Sequence, residues 1–202
     1  MTLKERIVRN LGDLIGSNMG WIRHVLDKAA TKEFQSKVPH SETARVSWPL
    51  NLWGGKYIKM GNGFFILPDA RIDCIDFYDG QRFSPELVIG DGVTLNFRCH
   101  IGCINRIVIG NHVTIGSNVL ITDHSHGLFV EDEKDIPWSK RKLFSKGPVI
   151  IEDNVWIGEN VSILSGVSIG RGSVIGANSV VTHDIPPYSM AVGNPARAVK
   201  SL

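Results

Sequence analysis

The sequence predicts an all-β solenoid of about five triangular coils, with short N-terminal helices before it and one long excursion loop within it. Three observations predict this. The first is a six-residue repeat whose clearest stretch runs Ile151, Ile157, Ile163, Ile169, Ile175 and Val181, with Gly following at 158, 170 and 176. The second is the grouping of earlier anchors in threes: Met60, Ile66 and Ile72, then Ile89, Leu95 and Ile101, then Ile109, Ile115 and Ile121. The third is a companion position held by small or branched residues, namely Val93, Val113, Val119, Val155, Val161 and Val167, then Ser173 and Ser179. A fixed short period of this kind marks a repeat architecture.

A helix cannot carry that pattern. Its 3.6-residue turn does not keep residues spaced by six on one face, and Gly at this density would cost about 1 kcal/mol each. Short strands turning at Gly or Asn fit, with three hexads closing one coil and the anchors stacking in columns. One column is Met60, Ile89, Ile109, Ile151 and Ile169.

Breaks in the phase locate insertions. Phe77 to Val88, with Tyr-Asp-Gly and Ser-Pro, reads as a loop after the first coil, and 127–149 breaks the repeat after the third. The second break holds an acidic stretch from Glu131, then Pro137-Trp138 and the basic run Lys140-Arg141-Lys142, either contacting a substrate or forming a solvated lid. A long excursion from a compact rod that begins beside a histidine pair points to function.

The N-terminal segment, 1–59, reads as helical and extended capping. Thr2 with Glu5 forms a possible capping box, and Ile7, Leu11, Leu14 and Ile15 recur at helical spacing. Gly16 to Gly20 interrupts before a second helix carrying Trp21, Val25 and Ala29. Packing on the end or side of the rod is preferred over a membrane-surface role, because an open coil end invites edge pairing. The rod itself spans 60–188, and 189–202 forms a tail.

Composition is that of one soluble domain of 202 residues with a net charge of +2, which favours neither nucleic acid nor an anionic membrane. No apolar run approaches the twenty residues of a membrane span and the N-terminus is charged, so the expected location is the cytoplasm. Cys74, Cys99 and Cys103 fit neither a zinc pattern nor an even disulfide framework, and Cys99 falls on an inward, packing position.

The hexads, Asn154-Val-Trp-Ile-Gly158, Asp184-Ile-Pro-Pro187 and Gly193-Asn-Pro-Ala-Arg197 together resemble the hexapeptide-repeat acyltransferases. Within that family the chain is most similar to the maltose, galactoside and surface-polysaccharide O-acetyltransferases, over roughly Met60 to the C-terminus. The resemblance implies a left-handed parallel β-helix, an exception to the usual right-handed crossover. It further implies a homotrimer with active sites between subunits, acetyl-CoA as donor, no metal, and a sugar or saccharide hydroxyl as acceptor.

The resemblance centres the chemistry on Ile121-Thr-Asp-His-Ser-His-Gly127. Two histidines compete. The family's catalytic histidine takes the last place of its hexad, which is His126 here, and His124 is the alternative. Both point outward if Ser125 points inward. Asp123 or a backbone carbonyl would fix the tautomer of the base. Asn96 matches an active-site asparagine of the galactoside enzymes, beside the plainer role of a corner residue satisfying backbone groups.

For the donor, the resemblance lays Trp156 along the pantetheine arm in an intersubunit cleft, with packing in the trimer as the alternative. Gly158 and Ala177 would lend backbone groups to CoA. Glu159 stands where some relatives carry a small residue, so the oxyanion donor would be a backbone N–H. Arg197 and Lys200 suit the CoA phosphates. Thr182 is retained, while His183 replaces a common lysine.

Other classes fit less well. A γ-class carbonic anhydrase shares this rod and would draw on His100, His124 and His126, but the spacing of its metal ligands differs. An ice-binding rod needs an outward threonine array, and Thr94 and Thr114 are followed by Trp156 and Val174. An antibiotic acetyltransferase is a further possibility within the same enzyme class.

Overall fold

The structure, a computed structural model, describes residues 3–202, with side chains from residue 19 onward. Three faces of parallel strands close a triangular prism. The first face has eight strands, from Arg45–Val46 to Ala196–Ser201; the second has six, from Leu50–Trp53 to Val180–Val181; the third has five, from Ile58–Met60 to Ser168–Ile169. Register follows the hexads. Ile66, Leu95, Ile115, Ile157 and Ile175 align on the first face and Ile72, Ile101, Ile121, Ile163 and Val181 on the second. On the third, Met60, Ile89, Ile109, Ile151 and Ile169 align as the repeat predicts.

These anchors and the companion valines form one continuous buried core, with Met60 half-buried and packed against it. Alternation sends every second side chain inward, and a narrow prism admits only branched or small ones there. Corners use the left-handed conformation. Arg98, Asn118, Asn160 and Asn178 hold it at φ 56–60°, and Asn118 Nδ2 donates to Asn160 Oδ1 at 3.0 Å. Another corner is laced by side-chain carbonyl and carboxylate oxygens: Asn62 N–H donates to Asp91, Asp91 N–H to Asn111 and Asn111 N–H to Asp153, at 2.6–2.8 Å.

Pairing starts earlier than the sequence indicates. Arg45–Val46 pairs with Phe65–Ile66 and Leu50–Trp53 with Ala70–Cys74, so part of the segment read as capping belongs to the prism. The hexad is hidden there because the turn Gly55–Tyr57 lengthens the step between the anchors Leu52 and Met60.

The N-terminal segment is one helix, Leu3–Lys37, not two. Gly16 and Gly20 weaken a helix without ending it, because neither clashes with the preceding turn as Pro would. Thr2 of the proposed capping box lies outside the described residues, as do the side chains of Glu5, Ile7, Leu11, Leu14 and Ile15. The helix's last turns cover the first rung. Phe34 is buried and stacks on Phe64 with centroids 5.9 Å apart, and Thr31 Oγ1 both donates to Val46 O and accepts from Val46 N–H at 3.0 Å. Among the described residues, no helix is long and apolar enough to cross a membrane.

The segment read as a tail is a hairpin, Ser189–Gly193 with Ala196–Ser201, that extends the first face beyond Val174–Ile175.

Candidate active site

Two excursions leave the prism where strands of the second face end. The first is a tight hairpin, Phe77–Tyr78 with Gln81–Arg82, turning at Asp79 and Gly80 with φ 41° and 81°. Positive φ at both central residues suits the twist of the strands, and Asp-Gly supplies it. The second opens with Ser125–His126 pairing antiparallel to Leu143–Phe144. Gln81 ties them: Leu143 N–H donates to its Oε1 at 2.8 Å, and its Nε2 donates to Leu143 O at 3.4 Å.

Between the excursions, on the outer side of the second face, lies a cleft of about 440 Å³. Trp53, Phe77 and Tyr78 supply its aromatic walls. Arg71, Asp73, His100, Thr122, His124 and His126 supply its polar groups.

Asp123 lies inward and fully buried, in the column that continues from Cys74 and Cys103. A carboxylate buried this way needs donors. It has them in Ile104 N–H at 2.9 Å, Asn105 N–H at 2.8 Å and His124 Nδ1 at 3.1 Å. Asp123 therefore orients His124, whereas the sequence reading joined it to whichever histidine is the base. The His124 ring, 11% exposed, lies over Gly102. A Cβ on Gly102 would stand 3.1 Å from its Cε1, so this glycine makes room for the imidazole.

His126 is exposed, with its ring edge-on to Tyr78 at 5.4 Å and its Nδ1 3.5 Å from the Tyr78 hydroxyl. Ser125 does not point inward as the alternation requires. It is exposed, and its hydroxyl donates to Gly127 O at 3.0 Å, because the chain has already left the prism after Asp123. His100 sits 3.4 Å from Asp73, which also faces Arg71 at 2.5 Å. Burial, reinforced by the Arg71 charge, holds the His100 imidazole below its ordinary value.

The long excursion is organised around one residue of its basic run. Arg141 is buried, donates to Ile136 O and Leu128 O at 2.9 Å each, and lies 3.6 Å over the Trp138 ring. Lys140 and Lys142 remain exposed, so the three basic residues do not act together as a substrate-facing run.

The other expected site residues gather elsewhere. Asn96 Nδ2 donates to Ile115 O at 2.9 Å, the corner role, and Asn96 does not line the cleft of its own chain. Trp156 stands outward and 57% exposed between Thr114 and Val174. Gly158 N–H donates to Ile175 O at 2.8 Å and is thereby engaged in the sheet. Ala177 is exposed beside it, its N 2.7 Å from where a Gly158 Cβ would stand.

Thr182, His183 and Arg197 come together: Thr182 Oγ1 is 2.7 Å from His183 Nδ1, and Arg197 Nη1 is 3.5 Å from the same nitrogen. Arg197 and Lys200, three apart on a strand, would ordinarily face opposite ways. A bulge corrects this. Arg197 pairs with Val192 and Lys200 with Met190, so both cations share one face.

Comparison with known proteins places this geometry. Residues 148–183 match the family model described as bacterial transferase hexapeptide (six repeats). WbbJ of Escherichia coli (strain K12), named for O-acetyl transfer in lipopolysaccharide biosynthesis, is 35% identical over 185 residues, 90% of this chain and 88% of WbbJ. The chain belongs to the hexapeptide-repeat acyltransferase family. Its fold is the left-handed parallel β-helix of that family. A maltose O-acetyltransferase from Clostridium difficile 630 superposes with TM-score 0.56 at 27% identity, covering 89% of this chain and 86% of that one. The hexapeptide-repeat acetyltransferase VCA0836 of Vibrio cholerae, solved with acetyl-CoA, gives TM-score 0.53 at 27% identity over 94% and 88%. This hexapeptide enzyme is an acetyltransferase using acetyl-CoA. For the carbonic anhydrase alternative, no group of three His, Cys, Asp or Glu side chains able to hold a metal occurs among the described residues.

Sequence reasoning missed Trp53, Arg71, Asp73, Phe77, Tyr78 and Gln81. The Asp79-Gly80 turn was the one available signal for the hairpin. Nothing in the repeat marks Trp53 or Asp73 as facing the histidines.

Proposed function

We propose that this enzyme transfers the acetyl group to a hydroxyl of a sugar or surface-polysaccharide precursor, with His126 as general base. The observation that carries the reading is the open imidazole of His126 in the cleft, with Nδ1 towards Tyr78 and Nε2 left for the reactants. A sugar hydroxyl is too weak an acid to ionise in bulk near neutrality, whereas histidine exchanges protons there. His126 takes the hydroxyl proton as the oxygen bonds to the thioester carbonyl carbon. The carbon–sulfur bond breaks, and the same proton passes to the departing thiolate. The family phase supports His126, since the last place of its hexad carries the base.

Residues matched to the donor lie away from the histidines in one chain. Trp156 stands on the first face, and the histidines follow the end of the second. We read the working unit as a homotrimer in which neighbouring copies complete each site, with Trp156 along the pantetheine arm. Arg197 and Lys200 then meet the phosphates, Gly158 and Ala177 the arm, and Thr182 and His183 the nucleotide end.

One observation favours a second reading. His124, not His126, is oriented by a buried carboxylate, the arrangement that fixes a catalytic tautomer. CoA release measured with a panel of saccharides, nucleotide sugars and antibiotics, with product detection, tests the activity. His126→Ala lowers kcat by about 10²- to 10⁴-fold with acetyl-CoA affinity retained, while His124→Ala does less. The reverse ranking assigns the base to His124.

A further inference from the structure

The outer side of the second face carries a column that the acetyl-transfer reading leaves unused. Trp53 pairs in register with Asp73, Asp73 with Gly102 and Gly102 with Thr122. Along the rod it therefore presents an aromatic ring, a carboxylate, a glycine covered by the His124 imidazole and a hydroxyl, in that order, and it ends beside the two histidines. Strands repeat at about 4.8 Å, so Trp53 and Thr122 stand about 14 Å apart, longer than one pyranose ring. Trp53 is 63% exposed, and Phe77 opens the hairpin that walls the same cleft.

The charges here cancel. Among the described residues lining the cleft, Arg71 is the one Lys or Arg, and its guanidinium faces Asp73 at 2.5 Å. Burial and Arg71 keep His100 from supplying a second cation at neutral pH. A diphosphate seated here would meet the Asp73 carboxylate with no free cation to balance it, a desolvation that nothing offsets. An uncharged sugar has what these groups match: apolar C–H faces for an aromatic ring, and hydroxyls that donate to a carboxylate and accept from a guanidinium.

We propose, resting on the acetyl-transfer reading, that the cleft takes an uncharged glycoside at least two units long. The reacting pyranose lies against the His124 ring that covers Gly102, with its hydroxyls on Asp73 and Arg71, and the adjoining unit stacks on Trp53. Trp53 and Asp73 are then specificity-determining residues. They set which acceptor is used and leave the donor untouched.

The test uses the full-length enzyme with methyl β-D-glucopyranoside, methyl β-D-galactopyranoside, cellobiose, lactose and maltose, and with UDP-glucose as the charged comparison. Binding is read by saturation-transfer NMR without acetyl-CoA, and turnover by CoA release. At least one disaccharide has a KM about tenfold or more below its methyl glycoside. Trp53→Ala removes that advantage, and Asp73→Asn raises acceptor KM about tenfold. Acetyl-CoA KM stays within twofold in both variants. Thermal melting confirms that each variant is folded, and Trp53→Ala, at an exposed position, reports independently should Asp73→Asn unfold. Higher kcat/KM for UDP-glucose than for every uncharged glycoside overturns the proposal, as does acceptor KM unmoved by both variants, while acetyl transfer itself stands. Disaccharide saturation transfer that Trp53→Ala abolishes, without CoA release, supports the binding site and overturns the acetyl-transfer reading instead.

Discussion

Gln81 holds both backbone groups of Leu143 with one side-chain amide, and so joins two excursions 62 positions apart in sequence. The pair works as a single strand-like contact, satisfying the N–H and C=O of a buried residue at the rim of the cleft.

Removing that amide frees the long excursion. Gln81→Ala leaves Leu143 N–H without its partner, a loss of about 1–3 kcal/mol. Trypsin then cuts faster at the exposed Lys140 and Lys142, and acceptor KM rises more than acetyl-CoA KM. Wild-type cleavage rates in the variant would show that Leu143 is held by other contacts.

The pH dependence of stability follows from His100. Burial first, then Arg71, holds its folded-state value below the ordinary one, while Asp73 opposes the shift and His124 adds to it. As pH falls, the unfolded chain takes up the proton first. The contribution is therefore complete above about pH 6.5 and is lost as pH drops through the lower folded value. His100→Gln flattens the melting temperature between pH 7 and pH 5; a slope equal to wild type assigns the acid sensitivity to another group.

The thiols are protected. Burial pushes Cys99 up to about 11, and the Cys103 thiol is raised by its hydrogen bond with Cys74, by burial and by the nearby Asp123 charge. At pH 8 a thiol with that Cys99 value is ionised in roughly one molecule in a thousand, and the thiolate is the reactive form. Ellman's reagent labels none of Cys74, Cys99 or Cys103 quickly in the native enzyme, and all three after denaturation. Rapid native labelling of Cys99 would contradict its inward place.

The closing hairpin presents Arg197 and Lys200 on one face. Replacing Arg197 and Lys200 together with Ala raises acetyl-CoA KM and weakens its salt dependence, with acceptor KM nearly unchanged. Deleting Val199 removes the bulge and leaves Arg197 and Lys200 two positions apart, still on one face, so acetyl-CoA KM stays near the wild-type value. Wild-type acetyl-CoA KM in the double Ala variant would mean that these two cations take no part in holding the donor.

What was legible in the sequence was the inside of the rod. Positions such as Ile157, Val161 and Ile163 admit few residue types, so confinement writes a period into the chain. The outside obeys no such rule. Trp53 and Asp73 face the histidines only because Leu50–Trp53 pairs with Ala70–Cys74, in a rung where the turn at Gly55–Tyr57 interrupts the count of six. The histidines were readable as a pair, but not which one Asp123 would hold, because Ser125 departs from the alternation where the strand leaves the prism. The helix was legible in kind, though Gly16 and Gly20 concealed its continuity.

The prism also works as a ruler. Trp156, Val174 and Met190 occupy successive strands of the first face, and Met190 fixes Lys200 across the closing hairpin. The span from that tryptophan to the tail cations is thus counted in whole strands, each about 4.8 Å, and cannot be tuned continuously. Gaining or losing one coil between them would leave the core equally well packed yet misplace the cations by a full step. On the proposed donor site, the length of the donor is therefore matched by a number of rungs rather than by the identity of any one residue between them.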